Sequence, residues 1–285
     1  SGGSNLSAKE FLSLVADHGL NNIELSSGNL VDYKALIKFA KSKNLTIQPH
    51  NYFPPNKDNY VINLAKKNII KDYQFKEILT AQINIAKHFN RKFLHYHAGY
   101  CFELSSTDFG VKKLERSPIF AKHTCIKNFH DNTKEISEIL EKKGLKLLIE
   151  NNVVNLGAFN TFGQNPFLCA DPDEILSILN TTDIFIGLLL DLAHLKVSSH
   201  TLKFDFFEAV RKLMPITSAI HISDNDGCQD TNQAFDEKSD VLQALKLFKN
   251  LDFITVEVYS NDLNKIKNQV NLVKKIREIE CLRYQ

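Results

Sequence analysis

Apolar residues along this chain switch repeatedly between helical spacing and short continuous runs. Phe11, Leu12, Val15 and Ala16 form a stripe at helical spacing behind the capping-box sequence Ser7-Ala8-Lys9-Glu10, and Gly19 stops it. Asn22-Ile23-Glu24-Leu25 then has the brevity and apolar content of a strand. A second stripe over about 31–43, with Leu36, Ile37 and Ala40 on one face, precedes Leu45-Thr46-Ile47-Gln48-Pro49-His50. The alternation continues. A helix predicted over 72–89 leads to Lys92-Phe93-Leu94-His95-Tyr96-His97, and one over 126–143 leads to Leu145-Lys146-Leu147-Leu148-Ile149-Glu150. Asp171-Pro172-Asp173-Glu174 supplies a cap and a first-turn proline for a helix before Ile186-Gly187-Leu188-Leu189-Leu190-Asp191. Helices over 205–213 and 239–248 precede Ser218-Ala219-Ile220-His221 and Phe253-Ile254-Thr255-Val256-Glu257, and a last helix covers 263–279.

Seven strand candidates, each behind an amphipathic helix, are mostly unbroken apolar runs, as parallel strands covered on both faces are. The class is therefore α/β. A helix ahead of the first visible strand implies an eighth strand, short or clipped, in or just before Ser1 to Leu6. With eight βα units and no Gly-, Pro- or Ser-rich linker, the expected architecture is a single (β/α)8 TIM barrel over residues 1–285; an open doubly wound sheet is the competing arrangement.

Composition changes this picture little. Of 285 residues, 43% are apolar and 24% charged, which excludes a disordered or low-complexity scaffold. Thirty-five Lys and Arg against thirty-three Asp and Glu leave a net charge of +2, too little to draw the whole chain onto nucleic acid or anionic lipid. No stretch approaches the roughly 20 apolar residues of a membrane span, and Ser1-Gly2-Gly3-Ser4 lacks the charged start of a signal peptide. Five scattered cysteines without a CxxC pair suggest neither a disulfide framework nor a thiolate zinc site, so a cytoplasmic location is expected.

The polar residues carry more. Glu24, His50, His97, Glu150, Asp191, His221 and Glu257 each fall at the C-terminal end of a strand candidate, the rim on which barrel enzymes build their sites. Each would cost desolvation unless something compensates it, and a divalent cation does so for carboxylates and neutral imidazoles together. Glu150, Asp191, His221 and Glu257, from successive strand ends, can surround one Mn²⁺, Co²⁺, Fe²⁺ or Zn²⁺.

The strings Leu148-Ile149-Glu150-Asn151-Asn152, Leu190-Asp191-Leu192-Ala193-His194, His221-Ile222-Ser223-Asp224-Asn225-Asp226-Gly227 and Val256-Glu257 resemble the metal-binding strand ends of the xylose isomerase-like TIM-barrel superfamily. That superfamily holds sugar-phosphate isomerases and epimerases, ketose 3-epimerases and the endonuclease IV family, and the resemblance spans nearly the whole chain. It implies a metal-dependent isomerase or epimerase of a sugar, sugar phosphate or related polyhydroxy-carbonyl compound, working through an enediolate. Glu150 and Glu257 would be both ligands and the acid/base pair, and Asp191 and His221 ligands. His50, His97, His194 and Glu24 are the expected substrate contacts.

Two further strings, His50-Asn51-Tyr52-Phe53-Pro54 and Tyr96-His97-Ala98-Gly99, resemble strand ends where endonuclease IV-like members place two histidines on a second zinc. A second ion on His50, His97 and Glu150 is one reading; the same histidines would serve equally as donors to sugar hydroxyls. The nuclease pattern also asks for an Asp-x-His pair beyond His221, and Asp230-Thr231-Asn232 lacks the histidine. A metal-dependent phosphodiesterase acting on abasic DNA is therefore the runner-up, and a non-catalytic sugar-binding barrel the third reading. The epimerase pattern departs too, since an arginine that ketose 3-epimerases often carry after the metal histidine is absent from 224–235. The expected partner is a small sugar-like molecule rather than nucleic acid or membrane, and an oligomer is compatible.

Other residues have plainer readings. Glu24 either touches substrate or pairs with a basic neighbour. His95 is expected to face the helices as a structural histidine, and Phe204, Phe206 and Phe207 to pack a helix on the barrel. Rim segments 98–120, 151–170 and 224–236 are long enough for lids and specificity walls, with Phe53, Phe102, Phe159 and Phe162 placed to cover a ligand edge.

Overall fold

In the computed structural model, residues 7–26, 32–55, 60–103, 119–180 and 186–282 are described. Helix α1 (Ala8–Asp17) starts on the capping box, with the Ser7 and Glu10 side chains accepting from each other's backbone N–H. Strand β1 (Asn22–Leu25) follows, then α2 (Tyr33–Ser42), β2 (Thr46–Pro49), α3 (Tyr73–His88) and β3 (Phe93–His97). Asp32 and Asp72 cap α2 and α3 by accepting first-turn N–H groups. Next come α4 (Lys122–Glu141), β4 (Lys146–Glu150), α5 (Leu156–Phe162), α6 (Pro172–Asn180) and β5 (Gly187–Asp191). Helices α7 (Leu192–Leu202) and α8 (Phe206–Leu213), strand β6 (Thr217–Ile222), α9 (Asp240–Leu245), β7 (Phe253–Val256) and α10 (Leu263–Leu282) complete the order. All seven expected strands form, and the eighth, expected at Ser1 to Leu6, lies outside the described residues. No described helix is long and apolar enough to cross a membrane.

The strands run parallel in sequence order, β1 with β2 and β3 through β7 in one ladder. Between β2 and β3 the side chains take over: Gln48 Nε2 donates to the Phe93 carbonyl at 3.2 Å, and Arg91 Nε to the Ile47 carbonyl at 3.1 Å. Alternation then sorts the two faces. Leu94, Tyr96, Leu147, Ile149, Leu188, Leu190, Ile220 and Ile222 pack outward against the helices. Phe93, Leu148, Leu189 and Ala219, joined by Phe253, fill the interior and form a floor.

His95 corrects an expectation. It was assigned to the helix side, but residues two apart on a strand share a face, so His95 points inward between Phe93 and His97. Phe53 is also elsewhere than expected: it is buried with Leu12, Val15, Leu36 and Ile47 in the wall. Phe102 instead stacks with Phe162 at 4.7 Å between ring centroids, and Phe204, Phe206 and Phe207 pack on the core as expected.

Helices α5 and α7 were not foreseen. α7 leaves β5 without a linker and buries nearly every residue from Leu192 to Ser199, so no polar stripe marks its spacing. α5 spans seven residues and buries none.

Gly99, just past β3, fixes the rim beside His97. Its φ is +104°, and a Cβ would lie 2.4 Å from Asn63 Oδ1 and 2.8 Å from the Ala65 nitrogen. Asn63 Oδ1 is held there by the Tyr100 and Ala65 N–H groups, each at 3.0 Å. Gly99→Ala should lower unfolding stability in urea by about 2–3 kcal/mol, because neither the backbone angle nor the contact relaxes locally.

Candidate metal centre

Parallel register sets the site. Because β3 and β4 pair His97 with Glu150, and β5 and β6 pair Asp191 with His221, four metal-capable side chains emerge side by side on the rim. Glu257 joins them one residue beyond β7, where its N–H bonds the Ile222 carbonyl at 3.0 Å.

Glu150 is at the centre and fully buried. Its Oε1 lies 3.4 Å from His221 Nδ1, and its Oε2 2.9 Å from His50 Nε2 and 3.8 Å from His97 Nδ1. His221 Nδ1 is also 3.1 Å from Glu257 Oε2. One potential ligand atom each from Glu150, Asp191, His221 and Glu257 falls within 4.8 Å of all the others. The four residues placed together by sequence reasoning are thus gathered at one point.

Asp191 divides its carboxylate between two tasks. Oδ1 accepts from the His194 N–H at 2.8 Å as the cap of α7, while Oδ2 faces the cluster. Asn151 clamps the same strand end, accepting from the Asp191 N–H at 2.7 Å and donating to its carbonyl at 3.0 Å. His194 is steered by this clamp: its Nδ1 donates to the Asn151 carbonyl at 2.9 Å, leaving Nε2 toward Asp230 Oδ2 at 3.2 Å.

His50 and His97 both approach Glu150, but they divide. His50 groups with Glu150 and His221, and His97 with Glu150 and His194, nearer the mouth. Glu24 is deeper, below the cluster, with both oxygens turned to histidines and to Thr255.

The electrostatics follow from crowding charge where water is excluded. Burial pushes the Asp191 carboxyl up to about 7, with Glu257, Asp230 and Glu150 adding to it against the pull of His194. Burial opposes ionisation of Glu150 most strongly, but His97, His50 and His221 together hold its carboxyl well below the usual range. His97, where burial dominates, falls to about 4 and is neutral at pH 7. Against burial, Glu24 and Glu150 hold His221 well above the usual imidazole value.

A divalent cation fits these residues. Buried Glu150 Oε1, Asp191 Oδ2 and His221 Nδ1 make no well-aligned hydrogen bond among the described residues, although a native interior rarely leaves such atoms unmatched. Carboxylate oxygens with one imidazole nitrogen are the donor set Mn²⁺, Co²⁺ and Zn²⁺ accept.

A sequence profile of the xylose isomerase-like TIM barrel matches residues 12–276. The chain belongs to the xylose isomerase-like TIM-barrel family. Among solved structures of this barrel, a D-tagatose 3-epimerase-like protein matches with a TM-score of 0.69 at 20% identity, covering 98% of this chain and 96% of that one. An AP endonuclease of family 2 from Brucella melitensis matches at 0.65 and 14%, with 92% of each chain covered. An L-ribulose 3-epimerase matches at 0.63 and 16%, over 99% of this chain and 93% of that one. These likenesses show the fold of the xylose isomerase-like barrel. No functionally curated protein matches the sequence.

Sequence reasoning did not place Asp230, Asn151 or Thr255 in this centre. Asn151 had a signal, since it directly follows Glu150 at the strand end. Thr255 had another, two residues before Glu257 and so on the same inward face. Asp230 had one too, standing where the nuclease pattern has the Asp of its Asp-x-His pair, and the return of 224–236 across the rim brings it to His194.

Proposed function

We propose that this protein is a divalent-metal-dependent isomerase or epimerase of a sugar, sugar phosphate or related polyhydroxy-carbonyl compound, with residues 1–285 forming one catalytic domain. The observation that carries the reading is the convergence of Glu150, Asp191, His221 and Glu257 on one point, with buried donor atoms of Glu150, Asp191 and His221 unspent. Mn²⁺, Co²⁺ or Zn²⁺ held there would polarise a substrate carbonyl and acidify the neighbouring C–H.

Glu150 and Glu257 would exchange the proton. Glu257, 24% exposed against 1% for Glu150, is the one open to an incoming molecule, and their carboxylates flank His221 Nδ1. His194 offers a donor to a substrate oxygen, being held above the ordinary imidazole value because Asp191 and Asp230 outweigh burial. His97, neutral and partly exposed, lines the mouth. The 3-epimerases among the structural relatives support the reaction class.

The test is deuterium wash-in from heavy water into a panel of ketoses and their phosphates, with metal content measured alongside. Incorporation next to the carbonyl is the expected result, and no exchange with any member would refute the reading. A metal-dependent phosphodiesterase is favoured by a single observation, Asp230 beside His194 at 3.2 Å. Asn232 speaks against it: where that chemistry would want a further ligand, its amide oxygen accepts from Ser223 Oγ at 2.7 Å in a buried pocket. An oligonucleotide bearing one abasic site should remain intact with the metal-loaded protein.

A further inference from the structure

Beneath the proposed ligands is a carboxylate that the reaction does not use. Glu24, 6% exposed, sends Oε1 to within 2.8 Å of His95 Nε2, 3.1 Å of His221 Nε2 and 3.3 Å of His50 Nδ1. Its Oε2 accepts from Thr255 Oγ1 at 2.5 Å and faces His221 Nε2 at 3.2 Å. Neither oxygen is aimed at the mouth.

An ionised carboxylate only accepts hydrogen bonds, so an imidazole nitrogen turned toward it must carry the proton. That places hydrogen on Nδ1 of His50 and on Nε2 of His221. Once a cation takes the other side of each ring, that one proton is all the imidazole keeps, and the lone pairs of His50 Nε2 and His221 Nδ1 are left to bind the cation. Those are the atoms facing Glu150, at 2.9 and 3.4 Å from its two oxygens. Without a cation the same rule puts a proton on each of these atoms too, and a bound cation would replace it while the Glu24 side stays as it is. Although the two histidines use opposite ring nitrogens, one buried glutamate orients both in the same sense.

We propose that Glu24 is a positioning residue that fixes the tautomers of His50 and His221 and so presents both to the metal centre, with Thr255 and His95 holding its carboxylate in place. The inference rests on the metal-centre reading and deepens it. His95 is well placed for that role: its Nε2 is 2.8 Å from Glu24 Oε1, and its ring packs 5.9 Å from that of Phe93, centroid to centroid. Outer partners of metal-bound histidines typically alter metal affinity by about 10–100-fold when replaced.

The experiment compares wild type, Glu24→Gln and Thr255→Val by zinc competition against a chelator. ¹⁵N shifts of the imidazoles are recorded in parallel on metal-free protein at alkaline pH. Glu24→Gln should bind zinc about 10–100-fold more weakly with the same final stoichiometry. The signals of two histidines should move away from single tautomers. Thr255→Val should shift affinity in the same direction by less, and it carries the test if Glu24→Gln does not fold. Unchanged affinity with unchanged tautomers overturns the proposal. Loss of one whole zinc equivalent in both Glu24→Gln and His95→Gln, with the rest bound normally, also overturns it by making Glu24 a ligand. A wild type that takes up no zinc overturns the metal centre itself, and the metal-free tautomers then decide Glu24 alone.

Discussion

Glu150→Gln is expected to lose bound metal and turnover together, with the exchange of substrate hydrogen falling by at least about 10²–10⁴-fold, the usual range for one acid/base group. Among the described residues Glu150 is the carboxylate shared by three of the four donor groupings, those with His50, with His97 and with Asp191, and His221 is the imidazole shared by three. Gln keeps the shape but removes the charge and one acceptor, so those three groupings are weakened at once. Even in the metal-free state folding should lose some stability, since against burial His97, His50 and His221 hold the ionised carboxyl below its usual range and the substitution removes those pairs. Elemental analysis, deuterium wash-in and thermal unfolding of the same sample check the three parts. A variant that retains metal and activity would exclude Glu150 from both roles.

Removing the metal from the wild type should lower its unfolding temperature. With free ion at about 100 times its dissociation constant, binding contributes about 2.7 kcal/mol. For a chain of this length that corresponds to roughly 4–5 °C. The physical source is visible: without a cation, the Glu150, Asp191 and Glu257 carboxylates crowd one pocket with nothing but imidazoles between them. Chelation followed by calorimetry measures the drop, and adding back Mn²⁺, Co²⁺ or Zn²⁺ should restore it. In Glu150→Gln the same treatment should change little, which ties the stabilisation to this centre.

Much of this was legible in the sequence because parallel strands state their chemistry at their ends. An apolar run cannot hold a charge until it emerges, so Glu150 after Leu147-Leu148-Ile149 and Asp191 after Leu188-Leu189-Leu190 mark both the strand and the rim. What escaped detection depended on signals that spacing does not carry. α7 is covered on nearly all sides, so its helical period is hidden. Asp230 arrives through a loop, and only the likeness to the nuclease's Asp-x-His pair pointed to it. His95 and Thr255 were within reach, because each sits two residues before an inward residue, His97 and Glu257. The error with His95 lay in reversing that rule.

Strand-end placement has a consequence for how such a protein changes over time. Lengthening 98–120, 151–170 or 224–236 leaves the pleat untouched, so the walls around the mouth can be rebuilt while the proposed proton-transfer groups stay where they are. One residue added within β4 or β5 would instead rotate Glu150 or Asp191 into the helical layer. Novelty in what is accepted should therefore accumulate by loop growth, and strand length should be the inherited constant.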